Sequence, residues 1–369
     1  MAEQQTLRIE QLLREMVNRK ASDLHLRIGV PPVYRINGTL QRPIETRIDP
    51  VMMDSFLDDI MNREQKQRFE RDKECDFAVG ARDMGRFRVN VFRQRGSIAI
   101  VIRHIKAKIP AFEELHLPEV IRDLALTKRG LVLVTGTTGS GKSTTLASML
   151  DYINQKESVN IITVEDPIEY LYRDNKAIIS QREIGVDTLS YANALRAALR
   201  QDPDVLLVGE IRDLETMQIA MTAADTGHMV FATIHTTNAT ETIHRVLSMY
   251  PPHQHDEIRL LLAEVLAGII SLRLLPTKDG KGRVPAAEIL VNTGAIKEYI
   301  QDKDKIDLVE QAVAEGHMQY HSQTFDQALL ELYSTDQITL ETAMDAATNP
   351  DDFDLKIRGI SGTSERGWM

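Results

Sequence analysis

Residues 131–143 read LVLVTGTTGSGKS and form the most informative segment of the sequence. Its second part, residues 136–143, is a full match to the pattern G-x-x-x-x-G-K-[ST]. An apolar run precedes the match and a helical segment follows it, which is the strand–loop–helix context that the motif requires. Glycines let backbone N–H groups surround phosphate oxygens, and the helix N-terminus adds partial positive charge. The stretch therefore predicts a nucleotide-binding α/β domain.

The loop also predicts which residues hold the nucleotide, with ATP and Mg²⁺ as the cofactors. We expect Lys142 to reach the β- and γ-phosphate oxygens and the Ser143 hydroxyl to ligate Mg²⁺. The alternative is a glycine-rich turn without a ligand, which the complete motif in its proper context disfavours. The predicted nucleotide-binding residues of the loop are Gly136, Thr137, Thr138, Gly139, Ser140, Gly141, Lys142, Ser143 and Thr144.

Short apolar runs alternate with helical stretches on the C-terminal side of the loop. The runs are residues 131–135, 160–164, 205–208 and 229–234, and the helical stretches are residues 142–154, 190–200 and 214–225. Buried strands that alternate with helices are typical of a parallel sheet with crossover connections. A longer apolar run, residues 260–275, is too short to span a bilayer and predicts a buried amphipathic helix.

The first third of the chain has a different pattern. Alternating residues at 22–27 and 33–36, an Asn37-Gly38 turn signal, and a strand pair around Gly96 predict antiparallel strands. Prolines after these strands indicate a connecting segment without regular secondary structure. We therefore expect a small α+β domain over 1–105, a linker over 106–118 and a nucleotide-binding core over 119–290. A helical region over 291–355 and a disordered tail over 356–369 complete the predicted organisation.

Composition limits the class of protein. The 369 residues include 44 Lys and Arg, 54 Asp and Glu, and one cysteine, with a net charge of −10. One cysteine excludes a disulfide framework and a multi-cysteine zinc site within the chain. The acidic balance argues against a non-specific nucleic-acid binder. The charge is uneven, because residues 1–110 contain 21 basic and 15 acidic residues, which predicts two units of different character.

Two acidic residues are candidates for a catalytic role at the γ-phosphate. Glu210 follows the apolar run VLLVG, in which Gly209 stands where many relatives carry aspartate, and Glu165 follows the run IITV. Both lie where strands end, which is where an open α/β sheet places ligands. The alternative is that they are solvated turn acids, and this alternative is stronger for Asp166 and Glu169.

Two histidines flank a further strand. His235 follows its C-terminal end and is the better candidate for a γ-phosphate sensor, whereas His228 precedes it and is suited to a turn or a neighbouring subunit. Structural roles remain open for both from spacing alone. His253 and His255 have no third ligand nearby and are interpreted as loop residues.

Arginines offer the additional positive charge that phosphoryl transfer requires. A basic strip in the first third has two interpretations, a solvated strand face or a surface that reaches the nucleotide. Its members are Arg86, Arg88, Arg93, Arg95 and Arg103. Arg196 and Arg200 share one helix face, where they contact a phosphate or pair with acids.

Four ordered segments carry a resemblance to a known family. They are TGTTGSGKST, ITVEDPIEY, LLVGEIRD and GHMVFATIHTTNA, joined by SDLHL, GRFRVN, TKRGLVLVTG, QREIGVDT and QTFDQAL. Over residues 7–355 the chain resembles the secretion ATPase superfamily, and within it the type IV pilus retraction ATPases of the PilT/PilU type. The resemblance implies α/β architecture: a PAS-like N-terminal α+β domain followed by a RecA-like P-loop ATPase domain with a helical C-terminal region.

The resemblance also implies the roles of site residues. Lys142 and Ser143 match the Walker A ligands, Glu165 the Asp-box acid and Glu210 the catalytic Walker B glutamate. His228 and His235 match the His-box pair. Family members use arginines of the N-terminal domain near the phosphates, for which we choose Arg88 and Arg103.

The implied function is a homohexameric motor that hydrolyses ATP to drive pilus retraction and twitching motility. The implied location is the cytoplasmic face of the inner membrane. There the motor binds an inner-membrane platform protein and optionally a second pilus ATPase, without membrane insertion or nucleic-acid binding. Assembly and type II secretion ATPases usually carry a tetracysteine zinc motif, so the lone Cys75 favours retraction.

One departure from the family pattern bears on the type of motor. The C-terminal AIR-type motif of the retraction ATPases reads here AIKEYI, with Lys297 in place of arginine, which leaves an accessory PilU-like motor open. Three further functions compete with retraction: an assembly or secretion ATPase, a RecA-like nucleic-acid motor, and a nucleotide-binding scaffold with little turnover.

Overall fold

The computed structural model describes residues 7–36, 38–105 and 109–357. The chain divides into two compact units. Unit 1 takes in residues up to 108 together with 169–171, and unit 2 takes in the rest of the chain from 109 onward. The predicted turn residue Asn37, the first part of the predicted linker (106–108) and most of the predicted tail (358–369) lie outside the described residues.

Unit 1 is built on a six-stranded antiparallel sheet with the order β3-β2-β1-β6-β5-β4. Its strands are β1 (Asp23–Arg27), β2 (Val33–Ile36), β3 (Thr39–Gln41), β4 (Glu74–Ala81), β5 (Gly85–Gln94) and β6 (Ser97–Ile105). Its helices are α1 (Ile9–Asn18), α2 (Pro50–Ile60) and α3 (Arg63–Asp72).

Strand alternation gives this sheet one apolar and one polar face. Phe87, Val89 and Val91 of β5 are buried in a core shared with α1 and α2. The residues between them point to the opposite face, since side chains alternate along a strand. Arg88 of β5 and Arg103 of β6 are direct cross-strand partners on that second face. Arg86, Arg88 and Arg103 of the basic strip therefore lie on the polar face, whereas Arg93 lies on the opposite face over the ring of Phe69.

Unit 2 contains a seven-stranded sheet with the order β13-β12-β7-β11-β10-β8-β9. Six strands are parallel, and β13 is antiparallel to β12. The strands are β7 (Gly130–Thr135), β8 (Asn160–Glu165), β9 (Ile178–Glu183), β10 (Val205–Val208), β11 (Met229–Ile234), β12 (Leu266–Pro276) and β13 (Arg283–Val291).

Twelve helices accompany this sheet among the described residues of unit 2. They are α4 (Val120–Ala125), α5 (Lys142–Lys156), α6 (Tyr191–Ala198), α7 (Leu214–Asp225), α8 (Ala239–Ser248), α9 (His255–Val265), α10 (Gly294–Gln301), α11 (Val309–Glu315), α12 (His317–Tyr320), α13 (Phe325–Ser334), α14 (Leu340–Ala346) and α15 (Pro350–Ile357).

The sheet is covered on both faces, which explains its continuous apolar strands. Alternate residues of β7, β10 and β11 contribute to two separate cores. One core includes residues of α6 to α11, and the other includes residues of α4 and α5. Helices α13 to α15 pack with the ends of β12 and β13 in a smaller core. The predicted α/β class is correct.

The predicted helix over 260–275 is wrong. Only its first part is helical, in α9, and Leu266–Pro276 is strand β12. Because β12 lies between β7 and β13 and is buried on both faces, its sequence is mostly apolar, and the polar residues Ser271 and Arg273 do not produce a regular alternation. Periodicity cannot distinguish such a strand from a buried helix. Among the described helices, none has the length and apolar character needed to span a membrane.

Candidate nucleotide site

The glycine-rich loop connects the end of β7 to the start of α5. Gly136 begins it at φ 134°, and a Cβ there would come within 2.5 Å of both Leu272 O and Ser140 Oγ. Only glycine fits this position, since both the backbone angle and the close contacts exclude a side chain. Gly139 and Gly141 also have positive φ angles, of 83° and 105°. The loop is therefore held in a conformation that depends on its glycines.

Lys142 is the first residue of α5 and its side chain is buried, with the residue 9% exposed. Its Nζ donates to the carbonyl oxygens of Gly136 at 2.7 Å and Thr137 at 3.0 Å. A buried ammonium group at a helix N-terminus is a strong anion site, because its charge and the helix dipole act together. The Ser140 hydroxyl is also buried and has no hydrogen-bond partner among the described residues. The loop therefore fits a polyphosphate.

Strand order brings the remaining candidates to the same edge of the sheet. Strands β7, β11, β10 and β8 are parallel neighbours, so their C-terminal ends lie side by side. Gly136 follows β7, His235 follows β11, Glu210 follows β10 by one residue, and Glu165 ends β8. Residues far apart in sequence thus lie along one edge next to the loop.

Glu210 is the centre of a charged group at this edge. Its Oε1 lies 3.1 Å from Nε2 of His235, and its Oε2 accepts a hydrogen bond from Arg212 at 2.6 Å. Burial opposes ionisation of this carboxyl, but Arg212, His235 and Lys142 outweigh it and hold the pKa of Glu210 below its ordinary value. Glu210 is therefore an anion at neutral pH, oriented by two neighbours.

Replacing Arg212 with alanine is expected to move the acidic limb of the pH–rate profile to higher pH. The guanidinium group stabilises the ionised form of Glu210, so its loss raises the pKa of that carboxyl. The measurement is kcat/KM for ATP hydrolysis between pH 5 and pH 9. The control is Arg196→Ala, which removes an arginine paired with Glu215. An unchanged acidic limb in Arg212→Ala would contradict the role of Arg212.

Glu165 is held differently. It is 8% exposed, and its Oε1 accepts hydrogen bonds from Thr163 Oγ1 at 2.6 Å and from Gln181 Nε2 at 3.1 Å. Two donors fix the carboxylate at the end of β8 in one orientation. Asp166 and Glu169 are exposed, which leaves Glu165 as the acid of this segment that the fold holds in place.

Close packing of the backbone explains why the residue before Glu210, Gly209, is a glycine. A Cβ at this position would lie 3.1 Å from Tyr191 Oη, 3.1 Å from Val164 O and 3.2 Å from the Cα of Glu165. The backbone after β10 therefore approaches the end of β8 so closely that a Cβ at residue 209 would be tighter than ordinary van der Waals contact. This approach brings the segments that carry Glu165 and Glu210 together.

Gly209→Ala is expected to lower the unfolding free energy by about 1–3 kcal/mol through overpacking and to reduce turnover. The measurements are the thermal midpoint and the rate of phosphate release. The matched control is Gly294→Ala, because a Cβ at Gly294 meets nothing within 4 Å. Equal behaviour of the two variants would show that the approach of the strands is not tight.

His228 lies away from this group. It precedes β11, whereas His235 follows it, and the six residues of the strand separate them by about 20 Å. Nδ1 of His228 lies 2.9 Å from Ala223 O and 3.3 Å from Thr226 Oγ1. The structure therefore brings His235, but not His228, to the carboxyl edge of unit 2.

Arg88 and Arg103 belong to unit 1, where both pair with acids. Nε of Arg88 lies 3.5 Å from Asp76, and Nε of Arg103 donates to Asp23 at 2.9 Å. In unit 2, Ser143 is exposed and Thr144 is half-buried. Within the described parts of the chain, no group of three or more His, Cys, Asp or Glu side chains is arranged to hold a metal ion.

Several contacts of the site do not follow from the sequence analysis. Arg212 lies within the segment LLVGEIRD, for which the sequence analysis assigns a role to Glu210 alone. Its position two residues after Glu210 is the sequence feature that could have indicated the ion pair. Thr163 and Gln181 gave no signal, because their contact with Glu165 depends on the pairing of β8 with β9. Tyr191 is likewise brought to Gly209 only by the fold.

A phosphate-binding loop with a buried lysine, flanked by an ionised glutamate at a neighbouring strand end, defines the class of P-loop ATPases. The model of the family described as "Type II/IV secretion system protein" matches residues 3–345. The chain belongs to this family, and it is an ATP hydrolase.

Individual relatives extend this result over nearly the whole chain. The chain is 43% identical to the type IV pilus retraction ATPase PilT of Pseudomonas aeruginosa, covering 94% of this chain and 99% of the relative. It is 41% identical to the type IV pilus ATPase PilU of the same organism, covering 95% and 92%. A crystal structure of the pilus retraction motor PilT with bound ADP matches at 46% identity with a TM-score of 0.87, covering 94% and 98%.

Proposed function

We propose that this chain is a motor ATPase that hydrolyses ATP to drive retraction of type IV pili. The observation that carries the proposal is the convergence of Lys142, Glu210 and His235 at one edge of the unit 2 sheet. Retraction is named for a relative at 43% identity and twitching motility for another at 41%, and each spans most of the chain.

The phosphate loop is the part of the site that binds. Backbone N–H groups of residues 136–141 surround the β-phosphate, and Lys142 exchanges its two carbonyl partners for phosphate oxygens. We assign Mg²⁺ binding, together with the triphosphate, to the exposed Ser143 hydroxyl, followed by Thr144. When bound, Mg²⁺ neutralises phosphate charge and favours in-line transfer.

Glu210 acts on the attacking water. As an oriented carboxylate it accepts a hydrogen bond from the water and takes its proton while the bond between the γ-phosphorus and its bridging oxygen breaks. Arg212 contacts one carboxylate oxygen of Glu210 and keeps the group ionised. His235 contacts the other oxygen and senses the γ-phosphate. Glu165 is the second acid, held in one orientation by Thr163 and Gln181, and its carboxylate would help to bind Mg²⁺ through water.

The remaining candidates act through assembly. We infer a homohexamer in which the PAS-like domain, residues 1–105, supplies Arg88 and Arg103 to nucleotide phosphates. His228 serves a neighbouring subunit instead of its own site, since it lies at the far end of β11. ATP binding and release move this domain against the RecA-like core, residues 119–290, about the linker 106–118. The helical region 291–355 completes the motor at the cytoplasmic face of the inner membrane, where a platform protein is its partner.

Retraction is favoured over assembly by the single cysteine. Cys75 is buried in unit 1, and a tetracysteine zinc site requires three more. Lys297 leaves both a principal and an accessory role beside a second pilus ATPase open, and its Nζ donates to Glu264 at 3.2 Å. Arginine at this position would offer a planar fork with two parallel donors.

Phosphate release by the purified chain, with and without DNA, tests the enzymatic part of the proposal. We expect Mg²⁺-dependent hydrolysis that DNA does not stimulate. Stimulation by DNA with a steep salt dependence would instead indicate a nucleic-acid motor, and binding of ATP without turnover would indicate a scaffold.

A further inference from the structure

A buried polar row crosses the sheet of unit 2 directly behind the phosphate loop. Thr135 on β7 pairs in register with Ser271 on β12, which pairs with Glu288 on β13. Thr135 and Ser271 are 0% exposed and Glu288 is 6% exposed. Thr135 immediately precedes Gly136, and its register partner on β11 is Ile234, which precedes His235. The row therefore lies beneath both segments of the nucleotide site.

Glu288 bonds the segment that follows His235. Its Oε1 accepts a hydrogen bond of 2.6 Å from the backbone N–H of Ala239, the first residue of α8, and lies 3.5 Å from Ser271 Oγ. Further contacts of this segment come from α8 itself, since Thr237 donates to Glu241 and Asn238 caps the helix. Glu288 thus ties the start of α8 to β13, in addition to the hydrogen bond of Thr236 N–H to Ile234 O at the end of β11.

The same carboxylate has charged neighbours on two further elements. Arg273 on β12 and Glu310 on α11 act on it electrostatically, with opposite sign. The guanidinium group of Arg273 lies over the ring of Phe325 and donates to Ala346 O, so it belongs to the core of α13 and α14. Glu288 therefore stands between the His235 segment and the helical C-terminal region.

We propose that Glu288 is a positioning residue for His235: by accepting from Ala239 it fixes residues 235–239 so that the imidazole meets Glu210. This proposal rests on the proposed function of the site in ATP hydrolysis. It predicts that loss of the acceptor loosens the segment and misplaces His235, while the phosphate loop keeps its structure.

Protonation of Glu288 makes the proposed contact dependent on pH. Burial raises the pKa of Glu288 to about 7, Glu310 adds to the increase, and the Ala239 hydrogen bond and Arg273 oppose it. An ionised acceptor binds the N–H at a helix start more strongly than a neutral one. Turnover should therefore decrease as the pH falls through about 7. The free energy of unfolding changes with pH in the opposite direction. Because the pKa of Glu288 is raised in the folded state, its protonated form stabilises the fold at low pH, and this contribution is lost as the pH rises from 4.5 to about 7.

Two substitutions separate the effect of the hydrogen-bond acceptor of Glu288 from the effect of its negative charge. Glu288→Ala removes the acceptor and is expected to lower kcat about tenfold or more, with KM for ATP changed by less than about twofold. Glu288→Gln keeps a carbonyl acceptor but not the charge, so it is expected to show at pH 8 the lower turnover of protonated wild type, still above that of Glu288→Ala, with a flat pH profile between 6 and 8. The control is Glu310→Gln, which removes the neighbouring acid but not the Ala239 contact.

A double-mutant cycle with His235→Ala tests whether Glu288 acts through the histidine. If it does, adding Glu288→Ala to His235→Ala changes kcat by less than about twofold. Independent, multiplicative losses would overturn the proposal, as would a Glu288→Gln profile identical to wild type.

Hydrogen exchange of residues 235–239 provides a readout that does not need turnover. We expect faster exchange in Glu288→Ala than in Glu288→Gln or Glu310→Gln, and equal exchange in all three would overturn the proposal. Absence of hydrolysis by the wild-type chain would instead refute the proposed function, leaving this exchange result to decide the role of Glu288. If Glu288→Ala fails to fold, the profile and exchange of Glu288→Gln against wild type decide it.

Discussion

Replacing Lys142 with alanine is expected to lower kcat/KM for ATP hydrolysis by about 10³-fold, which corresponds to ~4 kcal/mol of lost transition-state stabilisation. The ammonium group is buried at the N-terminus of α5, and two loop carbonyls hold it in place. Its loss removes the cation that meets the β- and γ-phosphates. Nucleotide affinity, measured with a fluorescent ATP analogue, should fall together with turnover.

The matched control for this substitution is Lys156→Ala at the opposite end of the same helix. Lys156 is the last residue of α5, where its ammonium lies 5.6 Å from the ring of Tyr152. The control changes the net charge and helix composition equally but leaves the loop intact. Retained ATP affinity in Lys142→Ala would show that the loop is not the phosphate site.

Glu210→Gln is expected to reduce kcat by about 10²–10⁴-fold while ATP binding persists. The amide is close in size to the carboxylate but cannot accept the proton of the attacking water. Removing the negative charge also relieves the loop of a nearby anion, so ATP affinity should stay equal or increase. Single-turnover hydrolysis and equilibrium binding on the same preparation measure the two effects separately.

Glu215→Gln is the control for the removal of Glu210. Glu215 is an exposed acid of α7 that pairs with Arg196 and lies outside the group around Lys142. Turnover by Glu210→Gln at the level of this control would exclude Glu210 from the chemistry and would make Glu165 the candidate base.

The parallel core of unit 2 could be predicted from sequence because local signals coincide there. The runs around Leu133, Ile162, Leu207 and Phe231 are short, apolar and followed by glycine, acid or histidine, and all four are strands. The loop motif adds a fixed strand–turn–helix geometry. Parallel strands that share one carboxyl edge then place Glu165, Glu210 and His235 near the loop without knowledge of the fold's details.

The rest depended on pairing between distant strands. Strand β12 resembled a helix in sequence because both its faces are buried, and β13 joins the sheet antiparallel to it. No sequence pattern identifies Glu288 as important, because its contact with Ala239 exists only where the fold brings β13 next to the start of α8. His228 illustrates the reverse case, because the resemblance groups it with His235, whereas the two stand at opposite ends of one strand.

Surface pilus number and twitching in a strain that lacks this chain distinguish a retraction motor from an assembly motor. The strain is complemented with the wild-type chain or with Glu210→Gln. For a retraction motor, loss of the chain should give surplus pili and abolish or weaken twitching, and the wild-type chain, but not Glu210→Gln, should restore both. Absence of pili would indicate an assembly motor and contradict the account, as would full restoration by Glu210→Gln.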